Sequence, residues 1–399
     1  MMGIGQRLHL LRLARGYSLE ALASAMGNIV SKQAISQYEK GRILPSPIVL
    51  QHLARALGVH PNDLLIEQVY QIEVIAFRCR KRMAVREQQR IGQIACWELE
   101  KRLRIEQLLG NFYTLPLNRF RVLNEEGAEE AAGELRHQWG LGNAPIANMV
   151  DTLETHGVHV ICLDASADFD GLAAIARDNS GVPVGVAALI RKGVPGERQR
   201  LSLAHELGHL VLRISESLDE ERIAYRFAGA FLVPAETLRQ EVGQRRSNIS
   251  LDELLLLKQR YGVSLQSLLY RLRELGIIGE TYYVEWMRWL TRKGWRRCEP
   301  QALPEETPQR FRQMLLRAVA QQLLTLEDAQ CMLGEPLGMV SPLSRSPRRA
   351  LLQLPIEERC RILQAQAEQA AADYPHRDEE YYTWQGGDFF EYPSEPETR

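Results

Sequence analysis

The apolar positions of the chain fall into short groups with helical or strand spacing, separated by residues that start and stop helices. Leu8, Leu11 and Leu13 predict a first helix, and Ser18 caps a second that carries Leu19, Leu22, Ala23 and Met26 before Gly27-Asn28 breaks the chain. A third runs from Ser31 through Gln33, Ile35, Ser36 and Tyr38 to Gly41. Pro45 to Gly58 supplies a fourth and Pro61 to Leu65 a fifth. From Phe77 a proline-free, arginine-rich run places Met83, Ile91, Ile94, Ala95, Trp97, Leu99 and Leu103 at helical spacing, which predicts one long helix suited to a dimer interface. An acidic helix over Glu125 to Trp139 and another over Pro145 to Gly157 follow. The β-rich runs 158–163, 171–177 and 182–190 then read as three strands of a small sheet, the last suited to pair as an edge with an extended peptide.

The helix QRLSLAHELGHLVL (199–212) is apolar on nearly every side. A helix that is apolar all round is buried, and a buried helix does not carry His205, Glu206 and His209 without a use for them. Residues four apart lie one above the other, so His205 and His209 present two imidazoles to one point, with Glu206 a step round. Two histidines, a carboxylate and a water complete a catalytic zinc tetrahedron, in which Glu206 serves as the general base for water directed at a peptide carbonyl. The third ligand is expected on the following helix. Ser217-Leu-Asp-Glu220 reads as its capping box, which occupies Glu220 and leaves Glu221 as the preferred ligand, with Glu220 as runner-up. Glu221 shares a face with Ala224, Tyr225 and Ala228, neighbours small enough, for the most part, to let the two helices approach. His156 and His159 lack metal-ligand spacing to the pentad and read as ordinary histidines.

The segments RQRLSLAHELGHLVL and EERIAYRFAGAFLVP resemble the ImmA/IrrE family of metallo-endopeptidases over about Pro145 to Gly279. The resemblance implies ligation by His205, His209 and Glu221. It departs from the family at Tyr225, where Asn is usual, and at Leu201, where Phe is usual. Relatives cleave repressors, so a regulatory protein is the implied substrate. The helices Ser250 to Tyr261 and Ser264 to Leu275 fall inside this resemblance and are expected to pack on the catalytic domain.

Five short helices with a glycine turn before the third give the layout of a helix-turn-helix domain, whose second helix of the pair enters the major groove. LRLARGYSLEALASAMG, SKQAISQYEKGRILPS and LARALGVHPNDLL resemble the Xre/Cro repressor family, with Asn28-Ile29-Val30 lengthening the turn. Arg7, Arg12, Arg15, Lys32, Lys40, Arg42 and Arg55 against Glu20, Glu39 and Asp63 leave seven minus three, an excess of four positive charges suited to phosphates. Lys32, Gln33, Ser36 and Gln37 carry the donors and acceptors that base edges require, with Lys40 and Arg42 beside them. The expected partner is a double-stranded DNA operator bound by a homodimer on paired half-sites.

The whole chain of 399 residues balances 49 basic against 50 acidic side chains, so charge is segregated locally. Six cysteines without C-x-x-C spacing argue against a disulfide framework or a thiolate zinc site and for a reducing compartment. No apolar run approaches a membrane span and no signal-peptide core opens the chain, which predicts a cytoplasmic location. One zinc per chain is expected, although manganese and iron also accept two histidines and a glutamate.

The expected architecture is mainly α. A helix-turn-helix domain (5–66) and a helical connector (67–112) lead to an α+β zincin-like peptidase domain with a small sheet (113–279). A helical region (280–333) with helices over Pro308 to Leu324 and Leu326 to Leu333, and a proline-rich linker (334–349), follow. The end (350–399) is an amphipathic helix and an acidic aromatic tail, EEYYTWQGGDFFEYPSEPETR, which resembles small antitoxin-like proteins and implies a toxin as a candidate partner. The alternative to a peptidase is a non-proteolytic regulator or antitoxin, with the peptidase-like domain as a sensor.

Overall fold

The computed structural model describes residues 3–65, 70–110, 120–296, 298–338 and 356–373. Residues Met1–Leu337 form one compact unit.

Its N-terminal part is five helices: α1 (Ile4–Ala14), α2 (Leu19–Ala25), α3 (Lys32–Glu39), α4 (Pro47–Leu57) and α5 (Pro61–Leu65). Serine side chains cap three of them, Ser18 accepting from Ala21 N, Ser31 from Ala34 N and Ser46 from Val49 N. Gly27 and Asn28 both take positive φ in the turn between α2 and α3, where a left-handed residue must redirect the chain. Leu8, Leu11, Leu22, Ile35, Leu53 and Leu57 close the core of this part.

The next element departs from expectation. Instead of one helix beginning at Phe77, the chain forms strand β1 (Gln71–Cys79), turns at 81–83, and only then enters α6 (Val85–Leu108). The run QIEVIAF is rich in β-branched and aromatic residues, and an open sheet edge receives it. After β2 (Phe120–Val122), α7 (Glu126–Gln138) and α8 (Met149–Thr155) come β3 (Val158–Leu163), β4 (Phe169–Arg177) and β5 (Pro183–Arg191). The sheet order is β1-β4-β5-β3, with only β3 and β5 parallel. The last strand of the expected trio, β5, is therefore flanked on both sides, and the edge role read for it is wrong. The strand paired along β4 comes from the supposed connector.

Strands β4 and β5 are covered on both faces, which is why they read as unbroken apolar runs. Leu172, Ala174, Ala187 and Leu189 face Ile91, Ala95, Leu99 and Leu103 of α6. Ala173, Ile175, Ala188 and Ile190 face the other way, onto α9 (Gly196–Val211) and the helix beyond it. Helix α6 serves a third group too: its Trp97 joins the N-terminal core, and Arg7 from α1 makes a bidentate, fully buried ion pair with Glu100. The apolar positions read as a dimer seam are thus consumed within the chain. Its arginines are engaged as well, Arg90 with Glu87, Arg102 with Glu98 and Arg104 with Asp63.

Strand β6 (Leu212–Ile214) pairs in parallel with β2, and α10 (Glu220–Leu232), α11 (Ala235–Val242), α12 (Leu251–Tyr261) and α13 (Leu265–Glu274) follow. Then come α14 (Glu280–Arg292), α15 (Arg310–Ala320) and α16 (Leu326–Leu333). Ile105 of α6 packs with Phe311, Met314, Leu315 and Met332 of the last two. The proline-rich join before α15 is a strap beneath the start of α9. Lys258 donates to Glu197 and Glu299 at 2.8 Å, Leu303 N donates to Glu197, and Glu306 accepts from Arg200 and from Met149 N.

In the unit Gly338–Arg399, helix α17 (Ile356–Asp373) is described. The acidic aromatic ending and most of the proposed linker lie outside the described residues. Among the described residues no helix is long and apolar enough to cross a membrane.

Candidate metal centre and nucleic-acid face

Helix α9 runs through the middle of the core, with Leu203, Ala204, Leu207 and Leu210 fully buried, and it carries His205 and Glu206 fully buried as well. Helix α10 crosses close beside it because Gly208 has no side chain: a methyl there would press on Ala224 and Phe227. Across this crossing three ligand-type atoms converge. His205 Nε2 and His209 Nε2 lie 3.1 Å apart, and Glu221 reaches the first at 3.3 Å and the second at 3.5 Å. A tetrahedral metal with bonds of roughly 2.0–2.1 Å has ligand atoms about 3.3 Å apart. Among the described residues this is the group of three that could hold an ion.

The donor set fits a divalent cation in charge as well as spacing. Burial pushes the His205 pKa down to about 4, so its imidazole is neutral and has a lone pair to offer. Hydrogen bonds from both imidazoles hold the Glu221 carboxyl far below the usual carboxylate range. Burial lowers the affinity of His209 for protons, but Glu221, Glu206 and Glu220 together outweigh it and raise its pKa.

The cap of α10 corrects the sequence reading. Asp219, not Ser217, is the N-cap, its side chain accepting from Arg222 N. Glu220 is therefore the first helical residue and not the far end of a capping box. Freed from that job, its carboxylate lies 3.1 Å from His209 Nδ1, where it can fix the ring and its tautomer. His156 stacks on Trp139, and His159 is buried beside Glu106, both away from this group.

Among the described residues, neither carboxylate oxygen of Glu206 has a hydrogen-bond partner, although both are buried. Burial, partly offset by Arg78, raises its pKa to about 7. That is the protonation range a general base needs near neutral pH. Gly171 on β4 makes the space, since a methyl group there would occupy the position of the Glu206 carboxylate. Gly171→Ala is expected to displace Glu206 and to lower both the melting temperature and any hydrolytic rate, checked by thermal unfolding beside a peptide-cleavage assay.

Arg78, which the sequence reading did not place, and Tyr225, which it put on the face of Glu221, complete the surroundings. Arg78 on β1 stands opposite Gly171, at an irregularity in the β1–β4 register, with Nη2 3.6 Å from Glu206. Its Nη1 donates to the Tyr225 hydroxyl at 2.6 Å, and the Tyr225 ring lies 4.2 Å from that of His205. A cleft of about 550 Å³ borders His209 and Glu220 on one side and Glu73, Ile75 and Arg213 on the other.

Residues 189–273 match the family model of the IrrE N-terminal-like domain, and residues 8–64 match that of the helix-turn-helix. The chain thus carries one segment similar to helix-turn-helix proteins and another similar to the IrrE N-terminal-like domain. A search of curated proteins finds no match. The IrrE-like match runs from the end of β5 through α9 and α10 to most of α13, and so includes every residue of the converging group. Strand β1 and Arg78 lie outside both matched segments.

In the helix-turn-helix segment, Gln33, Ser36, Gln37 and Lys40 follow the spacing of one helical face, with Lys32, Gln33 and Lys40 exposed and Ser36 and Gln37 half-buried. Arg42 is exposed just beyond. Not all of the positive excess is free for phosphates. Arg7 is sequestered by Glu100, Arg12 by Glu39, and Arg15 donates to Leu57 O and Gly58 O. Lys32 meets Glu20 at 3.3 Å on the surface, a contact worth little in water.

Proposed function

We propose that this protein is a transcriptional regulator that binds operator DNA and hydrolyses a peptide bond in a partner repressor. The observation that carries this reading is the convergence of His205, His209 and Glu221 beside a buried, unpartnered Glu206. The three residues would hold one divalent cation per chain, zinc by ligand type. When bound, the cation supplies Lewis acidity and an activated water.

The chain does the remaining work. Glu206 takes the proton from the attacking water and returns it to the leaving amine as the C–N bond breaks. Glu220 orients His209. The packing of α9 on the sheet keeps bulk water from the base, so its field is not screened. The DNA reading rests on Lys32, Gln33, Ser36 and Gln37 for base edges and on Lys40 and Arg42 for phosphates, in a homodimer on paired half-sites. Cleavage at a promoter-bound complex would relieve repression locally.

Metal content of the purified chain by mass spectrometry tests the centre. Near one zinc per chain is expected, lost in the His205→Ala/His209→Ala variant, weakened in Glu221→Ala and weakened less in Glu220→Ala, which removes only the support of His209. A metal-free protein after zinc-replete growth would sink the mechanism.

A further inference from the structure

Arg78 is a buried cation with surplus donors. Its side chain is about one-seventh exposed, and Nη1 is used by Tyr225, but Nε and Nη2 are buried without a hydrogen-bond partner among the described residues. Unmade hydrogen bonds from a buried guanidinium are costly, and such groups are found where a ligand completes them. Glu206 lies 3.6 Å from Arg78 Nη2, an ion-pair contact longer than a hydrogen bond, and among the described residues its own oxygens have no hydrogen-bond partner either. The site thus lacks a donor for Glu206 and an acceptor for Arg78. A water beside Glu206 supplies the first, and a substrate oxygen beside Arg78 supplies the second.

We infer that Arg78, aimed by Tyr225, is a catalytic residue that binds the carbonyl oxygen of the scissile peptide and stabilises the negative charge it gains. The inference rests on the peptidase reading of the same centre. In the step concerned, the water oxygen forms a bond to the carbonyl carbon and its proton passes to Glu206. The carbonyl π pair moves onto the carbonyl oxygen, where the guanidinium meets it. The pair returns as the C–N bond breaks and the proton on Glu206 passes to the amine, so no further reactant is required. A preorganised cation at the oxygen where charge develops is among the largest contributions an active site makes. The register irregularity at Arg78/Cys79 re-aims the strand there, as bulges beside active sites do. Tyr225 holds one end of the fork, leaving the other free.

Binding of two small probes to the zinc-loaded full chain tests this. Acetohydroxamate reports the metal side alone, whereas dimethylphosphinate presents a tetrahedral anion with one oxygen for each side. By titration calorimetry, Arg78→Gln is expected to weaken phosphinate by about tenfold to a hundredfold, the worth of a hydrogen bond to a charged group, and to leave acetohydroxamate unchanged. Arg78→Lys should recover part of the loss, and Tyr225→Phe should lose less than Arg78→Gln. Equal phosphinate affinity in wild type and Arg78→Gln, or no phosphinate binding where acetohydroxamate binds, would overturn the inference and leave the peptidase reading standing. Failure of both probes on the wild-type chain would remove the reading on which it rests.

Discussion

Glu206→Gln is expected to lower peptide hydrolysis by about 10²- to 10⁴-fold, the usual worth of a positioned general base, with metal content unchanged. Glutamine keeps the shape but has no basic oxygen for the proton. It is not one of the three converging groups, so the variant separates loss of chemistry from loss of the ion. A carboxylate with two buried oxygens that lack a hydrogen bond among the described residues is a burden on the fold that a neutral amide lightens. The variant should therefore melt at the same temperature as wild type or higher, while its cleavage of a randomised peptide library, read by mass spectrometry, falls. An active Glu206→Gln enzyme would assign the base elsewhere. A variant that is inactive but also loses metal or stability would make Glu206 structural. The same substitution suits capture of the substrate, because it preserves the centre that binds it.

Arg7→Ala is expected to destabilise the chain by about 3–5 kcal/mol, the cost of leaving one member of a buried ion pair without its partner. Arg7 and Glu100 are each about 2% exposed, Arg7 also donates to Asp63 O, and its guanidinium lies over the Trp97 ring. Removing the arginine strands Glu100 beneath α1 and opens a void against Trp97. Denaturant unfolding of full-length protein checks the magnitude. The double substitution Arg7→Met/Glu100→Leu should recover most of the loss, because an apolar pair of similar volume has no desolvation cost to offset. A loss near zero for Arg7→Ala would mean that α1 and α6 are not held together by this pair.

The parts of this molecule that were legible in the sequence are those set by local chemistry. His205, Glu206 and His209 are fixed relative to one another by one helix, and serines 18, 31, 46, 250 and 264 each cap a helix with their own side chains. The paired glycines Gly58 and Gly262 end helices in the left-handed region that their position requires. What was not legible depended on distant partners. The segment from Phe77 carries arginines at a spacing compatible with a helix, but the open edge of β4 turns its beginning into a strand. That edge cannot be seen from residues 71–79 themselves. The same blind spot hid the position of Arg78, which its pairing opposite Gly171 sets. The α10 cap shows a subtler case. Both Ser217 and Asp219 are competent caps, and the choice between them moved Glu220 from a helix end to His209.

Helix α6 is shared property. Its Trp97 closes the core of the helix-turn-helix segment while its Leu99 and Leu103 close one face of the sheet. Among the described residues, the helix-turn-helix segment and the sheet are joined through the packing of this one helix. A crossover after residue 66 would leave one product with an uncovered core and the other with an orphaned tryptophan. The two segments are therefore bound to be inherited, and to drift, together.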